Sequence, residues 1–164
     1  MEYTIQKLFN KSLAYLEVAI ISSKEKDAIL YNTSEYTNVT ANLLHHATEL
    51  FLKFAISAKT KELPDNEHNI KKLFKKYKKL FPNEKYHIEI PFTNEVEYLG
   101  LSQKEKEQHK KDFPMPLELQ LRYPVGSNGE KYSPITKYDT DLLEHYKEQF
   151  LRLRCEIYPC DSEH

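Results

Sequence analysis

The sequence predicts an all-α bundle of four to five helices with a small β-hairpin inserted before the last helix, and three observations carry that expectation. Apolar residues recur at intervals of three and four over most of the chain, the spacing that gathers side chains on one helical face. Only 3 of 164 residues are Gly, too few for a turn-rich sandwich, while 40% are apolar and 30% charged. One segment is apolar around nearly its whole circumference: Val39, Leu43, Leu44, Ala47, Leu50, Phe51, Leu52, Phe54, Ala55 and Ile56 leave a single polar file of Asn42, His46, Glu49 and Lys53. Such a helix belongs at the centre of a bundle. The length fits one domain, 1–164, able to bury a core without disulfide or metal staples.

The elements follow in order. Ile5, Leu8, Phe9, Leu13, Leu16, Ala19 and Ile20 predict a first amphipathic helix from Ile5 to about Lys24. The polar stretch Lys24 to Ser34 allows a turn, with Thr33 or Ser34 as N-cap of a central helix from about Glu35 to Thr60. Two long helices joined by so short a link pack antiparallel. Pro64, Asp65 and Asn66 break the chain, and Ile70, Leu73, Phe74, Tyr77, Leu80 and Phe81 mark the apolar face of a third helix that Pro82 ends. Its opposite face holds Lys71, Lys72, Lys75, Lys76, Lys78 and Lys79, a local cationic surface.

The segment 83–116 reads as an insertion, with an extended pattern at Tyr86 to Phe92 and a charged run, Gln103 to Asp112, that reads as an exposed helix. Leu117, Leu119 and Leu121 alternate with Glu118, Gln120 and Arg122, and Gly126 to Gly129 separate them from Lys131 to Thr136, which predicts the hairpin. Asp139 or Thr140 then caps a last helix whose face is Leu142, Leu143, Tyr146, Phe150, Leu153 and Ile157.

A net charge of −1 gives no global field to steer nucleic acid or membrane, so any such affinity must come from a local patch. The opening MEYTIQKLFN has neither a basic n-region nor a continuous apolar run, and no stretch of about 18 apolar residues occurs, so a cytoplasmic protein without a membrane partner is expected. Cys155 and Cys160 lack the spacing of a zinc site and are expected as reduced thiols.

A His, a carboxylate and an ammonium buried on the central helix must find partners, because an unpaired buried charge costs several kcal/mol. The stripe is either internal glue or a site, with hydrogen-bonded glue as the default. His46 lies three residues before Glu49 and His45 four, so either imidazole could share a metal ion with that carboxylate. Two ligands are not a site, the first helix offers only Glu17 in its middle, and no metal or cofactor is expected. His68 opens the third helix, where it either caps orphan N–H groups or reaches back to the stripe, with Glu49 or Lys53 fixing its tautomer. Arg122 closes the Leu-rich strand and is expected in an ion pair or on phosphate oxygens.

The lysine face, through Lys71, Lys72, Lys75, Lys76 and Lys79, is a candidate phosphate contact, although a solvated face is the commoner meaning of such a run. Phe74 and Tyr77 are expected on the core side, away from any base. There is no GxSxG, glycine-rich phosphate loop, HExxH or CxxC, so the usual enzyme routes are closed.

Taken together these segments resemble the HEPN domains, named for higher eukaryotes and prokaryotes nucleotide-binding. The matching residues are ANLLHHATELFLKFAI from Ala41 to Ile56, His68-Asn69-Ile70 opening the next helix, Arg122-Tyr123-Pro124, and a final helix ending near Ile157-Tyr158-Pro159. The resemblance covers most of the chain apart from 83–116. It implies a homodimer that binds a nucleotide or RNA, or a partner protein of nucleotidyltransferase type, in a bacterial defence or toxin–antitoxin setting.

Many HEPN proteins are metal-independent ribonucleases whose motif is an Arg followed, after four to six residues, by a His. Here Arg122 meets Ser127, Asn128 and Gly129 at those offsets; Arg152 meets Ile157, Tyr158 and Pro159; Arg154 meets Pro159, Cys160 and Asp161. RNA cleavage through that motif is excluded, so binding is expected ahead of catalysis. Two alternatives stand beside it. One is an atypical ribonuclease with His46 or His68 transferring protons and Lys53 or Arg122 stabilising the phosphorane. The other is a purely structural dimerisation module.

Overall fold

The three-and-four spacing is realised as five α-helices in a computed structural model of the chain, which describes residues 2–28, 33–62, 66–92, 102–112 and 138–158. They are α1 (Glu2–Ala28), α2 (Thr33–Thr60), α3 (Ile70–Leu80), α4 (Gln103–Asp112) and α5 (Thr140–Ile157), with a 3-10 turn at Glu84–Tyr86. The hairpin expected over 117–136 and Arg122 lie outside the described residues, among which there is no strand.

α1 and α2 pack antiparallel, as a short link requires. Ser12 donates to the Ala47 carbonyl at 2.7 Å, and ten residues further along α1 Ser22 accepts from Thr40 at 3.0 Å. α5 runs antiparallel to α1 in turn, with Ser23 bonded to Thr140, Lys147 paired with Glu17 at 3.1 Å, and Arg154 donating to Gln6 at 2.9 Å. The layers meet in an apolar core where Phe51 of α2 and Phe150 of α5 stack at 4.1 Å, both fully buried. Glu17, the acidic residue in the middle of α1, thus faces α5 and not the stripe on α2.

α3 owes its place to the link before it. Asn69 caps its first turn by accepting from the Lys72 N–H at 3.1 Å. α2 ends at Thr60 and His68 sits against Glu49, eleven helical residues or roughly 16 Å back along α2. α3 then runs forward in the direction of α2, and its end meets the end of α2 where Lys59 lies 5.9 Å over the Phe81 ring. Ile70, Leu73, Tyr77 and Phe81 are buried, and all six lysines of the opposite face are exposed.

Some local expectations change. Thr33 and Ser34 are the first residues of α2 itself, so neither is the flanking cap. Tyr86–Ile90 keeps the alternation of an extended segment, with Ile88 and Ile90 buried and His87 and Glu89 exposed, but no strand among the described residues pairs with it. Side chains of α5 satisfy its backbone instead: Arg152 donates to the Lys85 and His87 carbonyls at 2.8 and 2.9 Å, and the Glu89 N–H donates to Gln149 at 3.0 Å. Val39 faces solvent at 52% exposure rather than the core. Asp139 is the cap of α5, accepting from the Leu142 N–H at 2.9 Å. No helix among the described residues is long and apolar enough to cross a membrane.

Phe51→Ala removes a fully buried ring stacked on Phe150 and is expected to cost about 3–5 kcal/mol of stability in urea denaturation, against under about 0.5 kcal/mol for Val39→Ala.

Candidate functional site

Helical periodicity puts Glu49 and Lys53 one turn apart on α2, where both are buried, their side chains only 7% and 8% exposed. Lys53 Nζ stands 3.0 Å from Glu49 Oε1. His68 Nδ1 reaches the same oxygen at 2.9 Å from the start of α3. Burial pushes the Glu49 carboxyl up. The hydrogen bonds from Lys53 and His68, with their charges, outweigh it and hold the group below the usual carboxylate range. An ionised Glu49 accepts only, so His68 Nδ1 is the donor of the shared bond and Nε2 is the ring nitrogen outside it. With the His68 side chain 62% exposed, that nitrogen is within reach of solvent. A carboxylate-oriented imidazole of this kind can take up or deliver a proton.

Glu49 Oε2 is buried and has no hydrogen-bond partner among the described residues. Toward the N-terminus of α2 the neighbouring imidazoles come into play. Donor atoms of His45, His46 and Glu49 all lie within 4.8 Å of one another, so these three are the described residues able to share a metal ion. His45 is buried and its ring lies 5.4 Å from Phe92. Phe92 takes a left-handed backbone, φ 66°, at a cost of about 1–2 kcal/mol for a bulky residue, and its ring packs between His45 and Tyr138. His46 is half-buried against Tyr15 at 5.4 Å. Asn42, also half-buried, makes no side-chain hydrogen bond with a described residue.

A second concave feature lies beyond the other end of α3. A cleft of about 590 Å³ runs between α3, the 3-10 turn and α5, walled by Phe74, Tyr77, Phe81, Tyr86 and Tyr146, with Lys78, His87 and Glu89 at its polar edge. Phe74 keeps to the core side, half-buried and packed against the core, and also lines this cleft, with the Lys78 ammonium 4.8 Å over its ring and Tyr77 stacked on it at 6.2 Å. Burial pushes the Tyr77 phenol well up, and burial followed by the Glu89 carboxylate does the same for Tyr146, so both stay neutral. Tyr77 spends its proton on the Tyr86 carbonyl at 2.6 Å, which fixes one wall.

Of the residues singled out in the sequence, Glu49, Lys53 and His68 meet at one carboxylate oxygen. Asn42 and His46 extend the file along α2, and the lysine face lies apart on α3. Lys72 is drawn to Glu67 at 3.1 Å, whereas Lys71, Lys75 and Lys79 pair with no described residue. His45 stands outside the polar stripe, and its four-residue spacing to Glu49 already marked it in the sequence beside His46. One feature escaped sequence reasoning. The cleft arises only when the Tyr86–Ile90 segment is laid across α5.

Above the carboxyl's unfolded pKa of about 4, the depressed Glu49 contributes stability that is fully present, and this is lost as pH falls through the folded value. In chelator-containing buffer, Glu49→Gln leaves Lys53 buried beside a neutral group and is expected to cost about 3–5 kcal/mol at pH 7. Urea denaturation repeated below about pH 4 should find the gap to the wild type narrowed. Compared with family models, curated proteins and solved structures, the chain matches none, so the family reading rests on the residue pattern set out above.

Proposed function

We propose that this chain is a HEPN-like binding protein for a nucleotide or a single-stranded RNA segment, and that α3 is the element that receives it. The observation that carries the reading is the aromatic cleft opening directly beside an exposed lysine face, with Lys78 common to both. Ammonium groups contact phosphates without regard to sequence, and each contact adds to a salt-dependent affinity. Aromatic walls supply a stacking surface for a base, worth about 1–3 kcal/mol per base. A cleft of about 590 Å³ is of the size that takes a small ligand. Exposed Val18, Ile21 and Val39 supply apolar surface for the homodimer that the resemblance implies.

The test is fluorescence anisotropy with a labelled single-stranded RNA of mixed sequence. Affinity is expected to fall steeply between about 50 and 200 mM salt, and Lys75→Glu is expected to weaken binding and lower the salt slope by about one. Phe74→Ala is expected to weaken it by about 1–3 kcal/mol with little change in that slope. Binding that ignores salt and both substitutions sinks the reading and leaves a structural module.

The His68–Glu49 hydrogen bond favours a second reading, an atypical metal-independent ribonuclease in which His68 transfers the proton, with Lys53 as the nearby cation. Purified protein incubated with end-labelled RNA would then release fragments that His68→Ala abolishes and that His46→Ala reports on separately. Intact RNA after long incubation closes that route.

A further inference from the structure

We infer that His45, His46 and Glu49 form a binding site for a divalent transition cation of the zinc type. The donor set is two imidazoles and one carboxylate, which suits a borderline-soft ion and leaves a position for water. Tetrahedral coordination at about 2.0–2.1 Å places ligand atoms roughly 3.3 Å apart. The three donors already lie within 4.8 Å of one another on α2, which is close to that spacing before any ion is bound.

The second observation is independent of that proximity. Glu49 is 95% buried, being only 5% exposed, yet its Oε2 has no hydrogen-bond partner among the described residues. A carboxylate oxygen removed from water and left without a donor is a costly acceptor, and a coordinated cation satisfies it. The division of labour on the carboxylate fits. Lys53 and His68 hold Oε1 and so fix the plane of the group, which leaves Oε2 to ligate. Hydrogen bonds that orient a ligand in this way ordinarily contribute to metal affinity. Lys53 also places a positive charge beside the ion, so affinity stays below that of an all-thiolate structural site. The inference does not depend on the binding role given to α3.

The test is titration of the tag-free full-length chain with Co²⁺, followed by its visible absorption bands, with Zn²⁺ competition and thermal melting as second readouts. One equivalent of Co²⁺ is expected to bind and be displaced by Zn²⁺, and Zn²⁺ is expected to raise the melting temperature. His46→Gln, on a half-buried residue, should weaken Co²⁺ binding by more than about a hundredfold, and His68→Ala, on an exposed one, by about tenfold. Glu49→Gln should abolish the Zn²⁺-dependent rise in melting temperature. If the wild type takes up no Co²⁺, or if His46→Gln binds as tightly as the wild type and so places the ion elsewhere, the inference is overturned.

Discussion

The arrangement of this bundle depends on how one buried carboxylate is satisfied. Glu49 sits midway along a helix that is otherwise apolar on most of its surface, and desolvating it costs several kcal/mol unless donors are brought to it. One donor is local, since Lys53 is a single turn further on. The other is not. His68 can reach Oε1 at 2.9 Å only because the link after α2 doubles back before α3 begins. That return sets the direction of α3, and the direction of α3 decides where its lysines face and where its last turn meets the Tyr86–Ile90 segment.

The same carboxylate is satisfied on one side only. Oε1 receives two donors while Oε2 receives none. An unpartnered buried acceptor costs about 1–3 kcal/mol, more when charged, and Phe92 adds a strained backbone close by, beside His45. A segment optimised for stability alone would place a second donor here or replace Glu49 by an apolar residue, since buried pairs are often no better than good apolar packing. The combination of a half-satisfied carboxylate with two imidazoles and a strained aromatic marks the N-terminal half of this stripe as a place where stability has been ceded.

Much of the fold was legible because it rests on local periodicity. The apolar faces of α1, α3 and α5, the Asp139 cap and the bounds of α4 at Gln103–Asp112 all follow from spacing, caps and charge runs. The antiparallel pairing of α1 with α2 follows from the shortness of their link. The Glu49–His68 contact was legible as one of two options, since a His ahead of α3 could cap or reach back, and only the path of the link decides between them. Tyr86–Phe92 shows the limit. Period-two alternation forecasts which side chains are buried, Ile88 and Ile90, but not what satisfies the backbone. Here Arg152 and Gln149 of α5 supply partners to it. Phe74 shows a related limit, because a residue on the apolar face of a helix can pack on the core and line a cleft as well, according to what lies opposite it.

The two features argued for ligand binding stand at opposite ends of α3, and the geometry of that helix relates them. Eleven residues span roughly 16 Å, with His68 and Glu49 at the first turn, the aromatic cleft at the last, and exposed lysines along the whole length between. On a chain whose net charge is only −1, this strip gathers six exposed lysines on one helix face. A ligand with several phosphates would be drawn along it rather than to a point, its base stacking at the cleft and its far end lying nearest the His68 imidazole. A lone nucleotide reaches one end only. The span of α3 therefore favours a short polynucleotide over a mononucleotide as the occupant of the proposed surface, because only the longer ligand collects both the stacking term and the phosphate contacts of the intervening lysines.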